Sequence, residues 1–306
     1  MRAIVFDRYG GPEVLREAEM RAPVAASGQL LLRVAAVAVN PADYKWRSGM
    51  FAASVPIAFP HVLGYDVAGV VTVVGEGVTG FVPGDRVAAL LDPISKGGYA
   101  EQVAVTAASA ARIPEQLDFA TAAAVPCACL TGTQIVEEVL RPRAGQTVLV
   151  TGATGSVGVA AVVAARRCGA QVIAAVRRRH LARARELGAI DTVVLGEEGW
   201  RGGNFDQALD TVGGPQVAKL CLHVRPGGRI CTAATEPIDP TGLPAVPEFV
   251  AVHADGPRLA GLLNDAAEGH IPIRIAHRFP LAQAAEAQRL VERGGLEGKV
   301  ILDIGR

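Results

Sequence analysis

The sequence predicts an α/β protein in two parts, a β-rich part and a doubly wound parallel sheet. Three observations carry that prediction. Residues 1–115 are made of short apolar runs broken by glycine and proline. From Thr147 the rhythm changes to strand, helix, strand. The change begins with Thr147–Ala175, TVLVTGATGSVGVAAVVAARRCGAQVIAA, where an apolar run stops at a glycine-rich turn and a small-residue helical run follows.

The chain of 306 residues is long enough for two cores. Half of it is hydrophobic, yet no apolar run is long and charge-free enough to span a bilayer. The start, MRAIVFDRYGG, reads as a first strand and not as a signal peptide. Formal net charge is zero, which argues against nucleic-acid binding. Cys127, Cys129, Cys168, Cys221 and Cys231 form no CxxC pair, so reduced thiols in a cytoplasmic protein are expected. Cys127 and Cys129 stand two apart in a helical stretch and face different ways, which argues against a redox pair.

In chain order, the β-like runs of the first part include Gln29–Val39, Val67–Val74, Arg86–Leu90 and Tyr99–Val105. Gly10-Gly11-Pro12, Asn40-Pro41, Gly75-Glu76-Gly77 and Pro83-Gly84-Asp85 punctuate them, as in a partly closed barrel or sandwich. Asp118–Leu140 has helical texture, broken at Pro126, and leads into the second part. Strands are expected at 147–151, 171–176, 192–195, 205–210 and 228–232, with helical segments between them. That alternation makes a parallel sheet of about six strands. Pro237–Pro247 is a proline-rich loop, and Arg258–Glu268 and Leu281–Val291 read as amphipathic helices. The terminal strand Lys299–Ile304 is expected to return to the first part.

The glycine turn is Gly152-x-x-Gly155-x-x-Gly158. With little side chain there, a backbone can approach a diphosphate, and the first N–H groups of the next helix point at its charge. TGATGSVG is also similar to the loop of extended short-chain dehydrogenases. Those enzymes carry the loop near the N-terminus and a Tyr-x-x-x-Lys after it. Here the loop starts at position 151 and all four tyrosines (Tyr9, Tyr44, Tyr65, Tyr99) precede it, so that reading fails. Where an NAD-binding fold places a carboxylate on the ribose 2′-hydroxyl, this chain has Arg177, Arg178 and Arg179. Guanidinium grips a 2′-phosphate that a carboxylate would repel, so NADPH is the expected cofactor. The competing reading is a solvated, arginine-rich helix start.

Taken in order, the motifs resemble the medium-chain dehydrogenase/reductase superfamily, in its zinc-independent quinone oxidoreductase branch. They are Asn40-Pro41-Ala42-Asp43-Tyr44 with Arg47-Ser48-Gly49; Leu63-Gly64-Tyr65-Asp66-Val67-Ala68-Gly69; Pro83-Gly84-Asp85-Arg86-Val87; Gly98-Tyr99-Ala100-Glu101; TGATGSVG; Leu187-Gly188-Ala189; Phe205-Asp206 through Asp210-Thr211-Val212-Gly213-Gly214; and Gly298-Lys299-Val300. The resemblance implies a GroES-like catalytic domain (1–117 and 268–306), a Rossmann NADP(H)-binding domain (118–267) and a homodimer. It also implies a small-molecule substrate, a quinone or an α,β-unsaturated carbonyl.

Zinc enzymes of the superfamily need a thiolate near position 40 and a His-Glu pair where Tyr65-Asp66 stand. No cysteine precedes Cys127, and LDPISKGGYAEQ replaces the four-cysteine lobe, so no metal is expected. His61 and Asp66 read as a loop histidine and a strand-start aspartate. Without a Lewis acid, hydride delivery to an already electrophilic acceptor is favoured over alcohol oxidation.

By the same resemblance, Asn40 and Thr131 contact the nicotinamide half of the cofactor. Thr154, Gly155, Ser156 and Val157 hold the diphosphate, Arg177 and Arg178 hold the 2′-phosphate, and Ala233 lies near the nicotinamide. Two roles fit Tyr44: proton donor to an enolate, or a hydrogen bond to the nicotinamide ribose. Lys299 serves either the cofactor or only its own strand. Trp46 and Phe51 are expected substrate-pocket walls, with Phe59 a weaker one. Some relatives carry a tyrosine after the strand that ends near Leu195, where this chain has Gly196. Two alternatives stand beside the main reading. One is a metal-independent NAD(P) carbonyl reductase or alcohol dehydrogenase; the other is a non-catalytic, crystallin-like NADPH-binding protein.

Overall fold

A computed structural model describes residues 1–197 and 200–305. The chain packs as two units, Met1–Cys127 with Ala254–Arg306, and Ala128–His253.

The first unit opens with β1 (Arg2–Phe6), β2 (Arg16–Glu19) and β3 (Gln29–Val39). Helix α1 (Pro41–Ser48) follows at once. Asn40 is its N-cap, Pro41 occupies its first turn, and Gly49 ends it in the left-handed region at φ 85°. Then come β4 (His61–Val62), β5 (Asp66–Val74), β6 (Arg86–Leu90), β7 (Gln102–Thr106) and β8 (Ala110–Arg112). Helices α2 (Phe119–Ala123) and α3 (Pro126–Gln134), the latter continued by a π-helical turn over Ile135–Leu140, form the helical stretch expected over Asp118–Leu140 with its break before Pro126, and α3 leads into the second unit.

The second unit is the parallel sheet. Its strands are β9 (Thr147–Thr151), β10 (Gln171–Val176), β11 (Asp191–Val194), β12 (Gln207–Asp210), β13 (Ile230–Thr232) and β14 (Glu248–Phe249). Helices α4 (Ser156–Arg167), α5 (Leu181–Glu186) and α6 (Gly214–Cys221) connect them. The strand order β11-β10-β9-β12-β13-β14 reverses direction at β9, as in a doubly wound sheet. The period of two sorts its core. Val148, Val150, Val172, Ala174 and Leu209 bury on one face with Ala161, Ala165 and Ala184 from α4 and α5. Leu149, Ile173, Ala175 and Ala208 bury on the other with Val217 and Leu220 from α6. Strands covered on both faces must be apolar throughout, which is why β9 and β10 read as continuous hydrophobic runs.

The chain then returns to the first unit through α7 (Gly256–Ala267), β15 (Ile275–Pro280), α8 (Ala284–Arg293) and β16 (Lys299–Asp303). β16 pairs antiparallel with β3, Val300 opposite Val39, as expected for the terminal strand. It joins the sheet of order β15-β16-β3-β5-β6-β8. The expected 118–267 span differs from the observed second unit at both ends. α7 packs on β8, and a Cβ at Gly256 would meet the Ala108 carbonyl oxygen at 2.6 Å, so this helix belongs to the first unit.

Candidate functional site

The second unit supplies a glycine turn at the carboxyl end of β9. Gly152 has φ 60°, and a Cβ on it would meet Thr211 Oγ1 at 2.3 Å. At Gly158 a Cβ would lie 2.2 Å from the Gly152 carbonyl oxygen, so glycine there permits the helix to close on the turn. Gly155 differs. Its backbone is extended at φ −75°, and a Cβ would meet only the Gly152 oxygen, at 3.2 Å. It is exposed, it caps α4 with no side-chain hydrogen bond, and the N–H groups of Ser156 and Val157 begin the helix. An open turn followed by an uncapped helix start fits a dinucleotide diphosphate. Thr154 and Ser156 are half-buried beside it.

Asp210, at the end of β12, fixes this edge. Its Oδ1 accepts from Thr151 Oγ1, from Val212 N–H at 2.9 Å and from Gly213 N–H at 3.0 Å. Its Oδ2 accepts from Thr232 Oγ1 at 2.6 Å. Thr211 Oγ1 donates to the Thr151 carbonyl at 2.8 Å. One buried carboxylate thus ties the carboxyl ends of β9, β12 and β13 together. The Asp-Thr-Val-Gly-Gly motif was visible in the sequence, but its clamping role was not. Ala233 follows β13 and donates its N–H to the Asp210 carbonyl at 2.9 Å. Thr131 is buried in α3. Arg177 and Arg178 are exposed just past β10, and Arg178 is paired with Glu197, a partner the sequence reading did not foresee.

The first unit supplies α1. Asn40 caps the helix, with extended backbone, and Tyr44 lies one turn into it. Asn40 is buried and its carboxamide is engaged at both ends: Nδ2 donates to Asp66 Oδ2 at 2.9 Å, and Oδ1 accepts from Lys299 Nζ. Lys299 Nζ also lies 3.3 Å from Asp66 Oδ2, and Asp66 Oδ1 accepts from Cys127 N–H at 2.7 Å. Beyond its place in β16, Lys299 thus joins a buried polar network with Asn40 and Asp66. Burial pushes the Asp66 carboxyl up; the Lys299 charge, Asn40 and the Cys127 N–H oppose it.

Asp43, on the core side of α1, is fully buried. Its Oδ2 accepts the Asn40 N–H at 2.7 Å and its Oδ1 the Gly64 N–H at 3.0 Å. Burial raises its pKa to about 7 against the pull of those two donors. Sequence reading passed over Asp43 because an acidic residue in a first helical turn is ordinarily a solvated cap. Tyr44 is half-buried, and burial followed by the charge of Glu292 raises its phenol pKa. Trp46 and Phe51 pack with ring centroids 5.0 Å apart and planes tilted by 53°. Phe59 instead packs edge-on against Phe6 and Tyr9, at 5.5 and 5.1 Å. His61 is buried on β4 with its ring edge-on to Phe6, and burial lowers its pKa.

Comparison with known proteins fits this arrangement. The family descriptions "Alcohol dehydrogenase GroES-like domain" and "Zinc-binding dehydrogenase" match residues 26–115 and 187–302. A rat (Rattus norvegicus) quinone oxidoreductase is 31% identical over 330 positions, spanning 99% of this chain and 97% of that protein. The chain belongs to the medium-chain dehydrogenase/reductase superfamily. Within it, the chain is quinone oxidoreductase-like. Membership makes it an oxidoreductase. A crystal structure of an NAD-dependent alcohol dehydrogenase superposes with a TM-score of 0.89 at 33% identity, covering 100% of both chains. A mycobacterial protein solved in complex with NADPH superposes at 0.84 with 27% identity, covering 99% of this chain and 100% of that one. For a superfamily that includes zinc enzymes, the ligand set matters. Among the described residues, no three His, Cys, Asp or Glu side chains gather as a metal site would require. No helix among them is long and apolar enough to cross a membrane.

Proposed function

We propose that the chain is an NADPH-dependent, zinc-independent oxidoreductase that delivers hydride to a quinone or to the β-carbon of an α,β-unsaturated carbonyl. One observation carries the reading. Asn40 and Asp66 occupy positions where the zinc branch has ligands, and here they hold the buried ammonium of Lys299. A divalent cation there would meet a charge the chain already supplies. With no Lewis acid to activate an alcohol, an acceptor that is electrophilic by itself is the better substrate.

When bound, NADPH supplies the hydride and leaves as NADP⁺. The chain's residues do the rest. The turn at Gly155 and the N–H groups of Ser156 and Val157, with Thr154, hold the diphosphate. Arg177 and Arg178 hold the 2′-phosphate. Asn40, Thr131 and Ala233 orient the nicotinamide half. Tyr44 donates its phenolic proton to the enolate formed from an enone, and solvent returns a proton to the phenolate. A phenol keeps its proton at neutral pH, and burial with the charge of Glu292 shifts Tyr44 further in that direction. Trp46 and Phe51 form an apolar wall for the acceptor.

Metal analysis tests the reading. Protein dialysed against zinc should retain no stoichiometric metal. One full equivalent that is lost on Asp66→Asn would contradict it.

A further inference from the structure

The arginines at the end of β10 face a competitor supplied by the chain itself. Arg178 Nε donates to Glu197 Oε1 at 2.9 Å, and Nη2 donates to Oε2, a two-point grip on one carboxylate. The topology builds this pair. β10 and β11 run parallel with Val176 opposite Val194, so their carboxyl ends lie side by side. The Leu195 N–H continues the register by donating to the Val176 carbonyl at 2.9 Å. Gly196 then turns the chain in the left-handed region, at φ 88°, and brings Glu197 to Arg178.

We propose that Glu197 sets the choice between NADP(H) and NAD(H) by competing with the 2′-phosphate for Arg178. The inference rests on the reading of Arg177 and Arg178 as the 2′-phosphate site. Both side chains of the pair are exposed, so the bond opens readily. A phosphate that takes Arg178 must still sit beside the displaced carboxylate, and like charge opposes it. A ribose 2′-hydroxyl is uncharged and meets no such opposition.

Calorimetry on the full chain tests this with 2′,5′-ADP and 5′-AMP, which differ by the one phosphate. Glu197 is exposed, so Glu197→Gln leaves the fold intact. That variant should bind 2′,5′-ADP about 3- to 10-fold tighter, with 5′-AMP unchanged, and the gain should shrink at high salt. Glu197→Asp should keep the ratio nearer that of the parent. In an Arg178→Ala background, Glu197→Gln should have no effect. If Arg178→Ala weakens 2′,5′-ADP while Glu197→Gln leaves it unchanged, the Glu197 inference is overturned and the arginine site stands. If Arg177→Ala with Arg178→Ala weakens both nucleotides equally, the arginine reading fails and takes the inference with it.

Discussion

The Lys299 ammonium lies 3.3 Å from the Asp66 carboxylate, and both side chains are buried. Residues 233 positions apart thereby fix the start of α1, because Asn40 is bonded to both. A buried pair loses hydration on both partners, and removing one partner leaves an uncompensated charge. Lys299→Met or Asp66→Asn should each lower stability by about 3–5 kcal/mol in urea unfolding. Asp66→Asn with Lys299→Met together should cost clearly less than the sum of the two single changes. Additive losses would show that the two groups do not act as a pair.

Asp43 makes stability depend on pH in a defined direction. Its folded pKa of about 7 exceeds the unfolded value of 3.8, so folding takes up a proton between those limits. The Asp43 contribution is therefore present in full below about pH 4, falls as pH rises toward 7, and is flat above. Asp43→Asn should remove this slope from the unfolding free energy measured between pH 4 and 8. An unchanged slope in the variant would place the titration elsewhere.

Two glycines of one turn should respond differently. Gly158→Ala places a Cβ 2.2 Å from a backbone oxygen, so α4 must shift and both stability and cofactor binding should fall. Gly155→Ala meets its nearest atom at 3.2 Å and should fold with little loss. It should still weaken NADPH binding about tenfold, by obstructing the diphosphate's approach. Tight NADPH binding by Gly155→Ala, measured by fluorescence titration, would remove the turn from the cofactor site.

Tyr44→Phe separates the two roles open to that side chain. As proton donor, its loss should lower kcat for an enone by about 100-fold and leave the NADPH dissociation constant unchanged. A matching loss in NADPH binding with kcat preserved would assign it to the ribose.

Much of the second unit was legible in the sequence. Continuous apolar runs at 147–151 and 171–176 can be satisfied only by a sheet covered on both faces, and both strands form as expected. Two later strands begin two residues inside their expected spans, β12 at Gln207 and β13 at Ile230, and Phe205 forms an isolated bridge with Val224 instead. α7 was legible as an amphipathic helix. Its pattern shows which face is buried but not which sheet buries it, so its place beside β8 was hidden. The glycine turn was legible because its chemistry is local. The Lys299 cluster and the Arg178–Glu197 pair were not, since each depends on strand register between segments distant in sequence. Asp43 was hidden for a different reason: its type says surface, and only its two backbone donors explain its burial.

Acceptor-dependent oxidation of NADPH by the purified protein, followed at 340 nm with a panel of quinones and enones in the presence of a metal chelator, tests the central claim most directly. The expected result is turnover with at least one of these acceptors, undiminished by the chelator. No turnover with any of these acceptors, beside NADPH oxidation by a saturated ketone that the chelator abolishes, would contradict it.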